Sequence, residues 1–417
     1  MFDLELAWDR PYRSGPAPTQ HVLRIRLLPQ AEGGATSGMP LRLAIALDTS
    51  SSMQGEKLEQ AKEACRAVIL QMRPEDRFAL AAYSTQVEPL LEGLPGGIGS
   101  LASVEHKIAS IEAAGVTRTD LALDWLERTL PSEPGIARAG ILITDGHPTD
   151  PRGAALEATD ALVAQAARLG QAGMTLYTVG LGTAAHFNTA FLVDLSDRGH
   201  GAFLYADEPQ TLEPLLRARL TTAQTLATDD LRLLLRPLLP GVTIKACCRL
   251  RPEHLPLDAP LPGEAPVLQA GAVQADVPTD LLVAVTLPPP DFGEPLGPRE
   301  VLSVEVAGDE TAASAASRAA ITATTSYTEA QQVNAEVDRD RLQWEMNVYS
   351  QALHHTRDPR KTAQLLADIQ YAASKTGQES VAQMAAQQLQ DLKKTGMLDA
   401  HRATGLLTST RSGGLQP

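Results

Sequence analysis

The chain reads as an α/β protein: a doubly wound, mainly parallel sheet inserted in a β-sandwich, with a helical segment after it. Three observations predict this. Between about residues 40 and 222, short apolar runs alternate with amphipathic helical patterns, as in a parallel sheet covered on both faces. Before and after that stretch, strand-like runs alternate with Pro/Gly-rich turns, the mark of a sandwich. From about residue 328, apolar side chains recur at helical spacing.

Taken in order, residues 1–39 hold two strand-like stretches, Phe2 to Trp8 and His21 to Leu28, which have no place in a parallel sheet and are assigned to the sandwich. Leu41 to Leu47 is a buried strand. A helix follows over Lys57 to Met72, with Leu58, Ala61, Cys65, Val68, Ile69 and Met72 on one face, and Arg73-Pro74 stops it. Phe78–Tyr83, Ile141–Thr144 and Met174–Val179 read as further strands. Leu101–Ile111, Leu121–Leu130, Ala154–Leu169, Phe187–Leu195 and Thr211–Leu220 read as helices. In 225–327, Leu231–Leu235, Val242–Leu250, Leu281–Leu287, Val301–Val306 and Ala319–Ser326 are the expected sandwich strands. The segment 328–402 reads as Ala330–His354, Arg360–Lys375 and Glu379–Lys394, the last two forming an αα-hairpin that caps the β domain. Thr/Ser/Gly composition makes 403–417 an expected frayed tail.

Composition narrows the function. A chain of 417 residues exceeds one core and implies two or three domains. Its net charge of −14 argues against nucleic acid or an anionic membrane as partner. The three cysteines include no Cys-x-x-Cys; Cys65 falls on an apolar helix face, and Cys247-Cys248 in a strand point to opposite faces, so neither zinc nor a disulfide is expected. An acidic start without a basic-then-apolar leader, and no run of 18 apolar residues, predict a cytoplasmic protein that does not span a membrane.

The chemistry gathers at strand ends. Asp48-Thr49-Ser50-Ser51-Ser52 follows the first apolar strand, Thr144-Asp145-Gly146 ends another, and Gly115-Val116-Thr117 precedes a helix. Loops at the carboxyl ends of such strands are where ligands bind. Two carboxylates and several hydroxyls form an oxygen-only donor set suited to a hard divalent cation. Taken singly, Asp-x-Ser-x-Ser is more often a helix cap and Thr-Asp-Gly more often a turn; it is their combination that points to a metal.

The Asp-x-Ser-x-Ser, Gly-x-Thr and Thr-Asp-Gly elements together resemble the metal-ion-dependent adhesion site of a von Willebrand factor type A domain. The resemblance covers roughly residues 40–222 and extends to soluble bacterial type A proteins with a β domain and a helical tail. It implies Ser50, Ser52 and Thr117 as direct or near-direct ligands, and Asp48 and Asp145 acting mainly through water. It implies Mg²⁺, with Mn²⁺ or Ca²⁺ as alternatives, and a protein partner whose Asp or Glu completes the coordination. Cytoplasmic relatives of this kind also serve AAA+ ATPase systems. Val116 stands where the family often has glycine, and Arg118 and His147 lie at the expected rim, Arg118 placed to add a second contact to the partner's acid.

Enzyme signatures are missing: no phosphate loop, dinucleotide fingerprint, His-Glu-x-x-His or Gly-x-Ser-x-Gly occurs. The expected function is therefore a metal-dependent binding or adaptor protein, not an enzyme. The alternatives are a phosphoester hydrolase using His147 as base, and a structural subunit with a vestigial metal site.

Overall fold

A computed structural model describes residues 2–29, 38–96, 101–261, 263, 265–290, 296–307 and 316–411. Along the chain, β1 (Phe2–Trp8), β2 (Tyr12–Arg13) and β3 (Thr19–Pro29) come first. The α/β stretch runs β4 (Leu41–Asp48), α1 (Glu56–Gln71), β5 (Arg77–Tyr83), β6 (Val87–Pro95), α2 (Leu101–Ala109), α3 (Thr119–Thr129), β7 (Ala137–Thr144), α4 (Asp160–Gln171), β8 (Met174–Leu181), α5 (Thr189–Arg198), β9 (His200–Ala206) and α6 (Leu212–Gln224). There follow β10 (Leu226–Pro237), β11 (Thr243–Arg251), β12 (Leu255–Leu257), β13 (Val267–Gln274), β14 (Thr279–Leu287), β15 (Gly297–Val306) and β16 (Ser317–Ala323). The helices α7 (Tyr327–Ala330), α8 (Ala335–His355), α9 (Pro359–Thr376), α10 (Glu379–Thr395) and α11 (Ala400–Arg411) complete the described chain. These elements gather into two compact units, one of residues 36–229 and 398–408, the other of 1–35, 230–397 and 409–417.

In the first unit a six-stranded sheet has the order β6-β5-β4-β7-β8-β9. All neighbours are parallel except β5 and β6. β4 lies at the centre, so Leu41, Leu43 and the run Ala44–Leu47 are buried on both faces, which is why that stretch is continuously apolar. From β4 the chain moves outward to β5 and β6, then returns to add β7 on the other side of β4. The β4–β7 boundary is thus the topological switch point, where an open sheet leaves a crevice at its strand ends.

In the second unit two five-stranded sheets, β1-β3-β14-β11-β12 and β13-β10-β15-β16-β2, face each other. Their shared core includes Leu23, Ile25, Val283 and Cys247 from one sheet and Leu233, Leu235, Leu302 and Ile321 from the other. The N-terminal strands join the sandwich by pairing of β3 with β14 across the intervening domain in sequence. Cys247 faces this inter-sheet core and Cys248 the opposite side, with Val22, Leu250 and Leu282. α8 packs on β3 and β11, and α9 packs on both α8 and α10, so the C-terminal helices form a three-helix layer instead of a lone hairpin.

Several local expectations are corrected. The helix expected from Ala154 begins at Asp160: Asp150 accepts the amides of Arg152 and Ala154, and a bridge of Ala155 to Thr149 with the Leu156 amide donating to Pro148 O at 2.9 Å holds the chain beyond in a tight reversal. Strands β2, β6, β9, β12 and β13 lie outside the strands the sequence predicts: β6 carries Pro89, Gly93 and Pro95, which its antiparallel edge position tolerates. The tail expected from 403 is instead helix α11 as far as Arg411, with Ala403, Leu406 and Leu407 buried; residues 412–417 lie outside the described residues. Among the described residues no helix is long and apolar enough to cross a membrane.

Candidate metal-binding site at the strand ends

Asp48 is the last residue of β4, and Asp145 follows β7 directly, so strand adjacency brings the two carboxylates to one crevice. The loop after β4 is tied to the threonine loop by the amide of Ala114 donating to Thr49 O at 2.7 Å and that of Ser51 donating to Gly115 O at 3.2 Å. The threonine loop is tied in turn to the loop after β7, where the Thr149 amide donates to Thr117 O at 2.8 Å. Backbone hydrogen bonds therefore draw three distant segments together.

Their side chains converge. Ser52 Oγ donates to Asp145 Oδ1 at 2.6 Å and lies 3.1 Å from Ser50 Oγ. A Cβ placed on Gly146 would sit 3.4 Å from Thr117 Oγ1 and 3.8 Å from Ser52 Oγ, so glycine leaves the space these hydroxyls face. Thr117 is buried, and its hydroxyl makes no hydrogen bond among the described residues. Asp48 is fully buried: its Oδ1 accepts from the Ser50 amide at 2.7 Å and its Oδ2 from Thr144 Oγ1 at 2.6 Å. Asp145 is also buried, with Oδ2 receiving Lys57 Nζ at 2.5 Å. Burial pushes the Asp48 carboxyl up from 3.8 to about 6; the hydrogen bonds from Thr144 and Ser50 oppose that rise, and the nearby Asp145 charge adds to it.

A family model for the von Willebrand factor type A domain matches residues 43–218. This stretch is a von Willebrand factor type A domain. Domains of this type typically mediate protein interaction, often through a metal. Inter-alpha-trypsin inhibitor heavy chain H1 from Bos taurus is 28% identical over 178 residues, which is 40% of this chain and 19% of that protein. An uncharacterized protein of Synechocystis is 25% identical over 286 residues, or 67% of this chain and 64% of the relative. The chain thus spans about a fifth of the length of the inhibitor heavy chains it matches. Two solved structures resemble the whole chain: a type A protein from Catenulispora acidiphila (TM-score 0.75, 17% identity, 99% of this chain and 97% of that one) and the ArnB paralog VWA2 from Sulfolobus acidocaldarius (TM-score 0.61, 17% identity, 100% of each). At that identity they speak to the fold.

The type A domain brings Asp48, Ser50, Ser52, Thr117 and Asp145 to one crevice, and their chemistry fits a hard cation. Among the described residues no group of three or more His, Cys, Asp or Glu side chains is placed to share a metal, so the hydroxyls are essential to any such site. The rim differs from expectation. Arg118 turns to Asp120, donating through Nε at 2.8 Å and Nη2 at 2.6 Å, so its guanidinium is already engaged by a carboxylate of the same helix start. His147 is exposed. Sequence reasoning missed two groups that hold the carboxylates: Thr144, within the quoted Thr-Asp-Gly but given no role, and Lys57. A signal for Lys57 was available, since a cation in the first turn of α1 opposes the helix dipole and calls for another reason to be there.

Proposed function

We propose that this protein binds a divalent cation, Mg²⁺ before Mn²⁺ or Ca²⁺, in the type A crevice, and uses it to dock an acidic side chain of a partner protein. Ser50, Ser52 and Thr117 would hold the ion directly, and Asp48 and Asp145 would steady the hydroxyls and the ion's waters. When bound, the ion supplies an open, positively charged position that accepts one carboxylate oxygen. The observation that carries the reading is the meeting of three hydroxyls, from two loops, between two buried carboxylates, with both oxygens of each carboxylate already engaged by protein donors. That arrangement leaves the hydroxyls as the available donors and the carboxylates one step back. An adaptor role, in an AAA+ ATPase system among others, and a cytoplasmic location extend the same reading.

Isothermal titration with Mg²⁺ tests it. The native protein should take up one equivalent and Asp145→Ala none. Co-purification in Mg²⁺ should retain a partner that excess EDTA releases. Uptake by Asp145→Ala equal to the native protein, or a partner indifferent to EDTA, sinks the proposal.

A further inference from the structure

We propose that Lys57 sets the net charge of the crevice and so makes the metal-loaded site selective for an anionic ligand; the inference rests on the metal reading above. Lys57 Nζ lies 2.5 Å from Asp145 Oδ2, while the carboxylate's other oxygen is taken by Ser52. The Asp145 side chain is fully buried and that of Lys57 is 25% exposed, so the pair is largely shielded from water and its charge counts for more than a surface pair's.

The local structure makes room for this contact at some cost. Lys57 is the second residue of α1, where a cation faces the positive end of the helix dipole. Gly182, just past β8 and at φ +83°, lies against the lysine stem: a Cβ there would come within 3.2 Å of Lys57 Cε. Two elements remote in sequence therefore position one ammonium on one carboxylate.

Charge counting gives the consequence. With Asp48 and Asp145 ionised and Lys57 protonated, the crevice carries one net negative charge. A divalent cation turns that into one net positive charge, which an incoming carboxylate cancels. Without the lysine the two aspartates alone would neutralise the ion, and an acidic ligand would gain little over water or a neutral amide. Lys57 therefore weakens the grip on free metal and couples metal binding to capture of an anion. By occupying Asp145 Oδ2 it also keeps that carboxylate from closing on the ion.

The test is a titration of Mg²⁺ alone, and of Mg²⁺ in the presence of N-acetylglutamate amide, into the full chain and its Lys57→Met and Lys57→Arg variants. Lys57→Met keeps the length of the stem and removes the charge. It should bind Mg²⁺ alone about tenfold more tightly, the scale of effect of groups that hold metal ligands. It should also lose the increase in Mg²⁺ affinity that the carboxylate probe gives the native protein, while Lys57→Arg keeps that increase. Thermal unfolding without metal separates a structural role: a variant destabilised without metal but unchanged in Mg²⁺ affinity and probe coupling overturns the inference. Equal Mg²⁺ affinity in native protein and Lys57→Met overturns this inference and leaves the metal reading standing. No uptake by any of the three overturns both.

Discussion

At the strand ends of the type A domain, two buried carboxylates have one ammonium between them, held by Asp145 alone; beneath α8 in the β unit, three carboxylates meet three guanidiniums. In the β unit, Asp280 accepts from Arg26 at 2.7 and 3.0 Å and from Arg251 at 2.7 Å. Asp340 accepts from Arg251 at 2.7 Å and Arg24 at 3.1 Å, and Glu336 lies 2.6 Å from Arg24. Every charge there has its opposite, and the cluster pins α8 to the sheet. In the crevice, negative charge exceeds positive and, among the described residues, one hydroxyl is left without a partner. A closed ion network is finished structure; an unbalanced one has room for a cation from outside.

That contrast can be broken at several points. The largest expected effect is on the closed network. Asp340→Ala leaves Arg24 and Arg251 short of a buried counter-charge and should destabilise the β unit by about 3–5 kcal/mol, read from its denaturant transition. A loss under about 1 kcal/mol would show that the network is not the fastening described here.

The two regions should also answer pH with opposite sign. Asp48 titrates near 6 in the folded crevice against 3.8 in the ordinary state, so between those values the folded form holds the extra proton. Metal-free stability should therefore fall as pH rises from about 4 to 6, by up to about 3 kcal/mol from this group. Asp48→Asn should flatten that slope, and saturating Mg²⁺ should remove it in the native protein. Asp280 runs the other way: burial, the largest single influence, would raise it, but the hydrogen bonds and charges of Arg26 and Arg251 together hold it below the ordinary value. Its contribution is present above pH 4 and is lost as pH falls through its lowered folded value.

Smaller effects sharpen the comparison. Thr117→Ala should lower Mg²⁺ affinity by about 10–100-fold while shifting metal-free stability by less than about 1 kcal/mol, since its hydroxyl bonds to nothing described. Unchanged titration would remove Thr117 from the ligand set. Least of all, Arg118→Ala breaks a partly exposed pair with Asp120 and should cost under about 1 kcal/mol, with metal-dependent partner capture intact. Loss of capture would restore Arg118 to the rim.

Much of the type A domain was legible because its information is local. Continuous apolar runs at Leu43 to Leu47 and Ile141 to Ile143 require strands buried on both faces, and an aspartate shortly after each places a carboxylate at a strand end. Elements carried by mixed signals were not legible. β6 hides behind two prolines and a glycine, and α11 behind a Thr/Ser/Gly composition that becomes helical when Leu406 and Leu407 find apolar neighbours. The 150–154 turn shows the reverse failure: an alanine-rich pattern read as helix yields to one aspartate that offers the backbone a better partner.

The sequence by itself determined which strands end in oxygen donors and what kind of ion those donors suit, because side-chain chemistry and strand period are properties of a few neighbouring residues. Only the tertiary structure decided which donors face one another and which charges are balanced. Lys57 meets Asp145 across 88 residues, and Arg24 meets Asp340 across 316. Such pairings are chosen by sheet order and helix docking, where the free energy of burying charge is settled by the whole fold; a local pattern can show a misplaced charge, such as Lys57 in the first turn of α1, but not its partner.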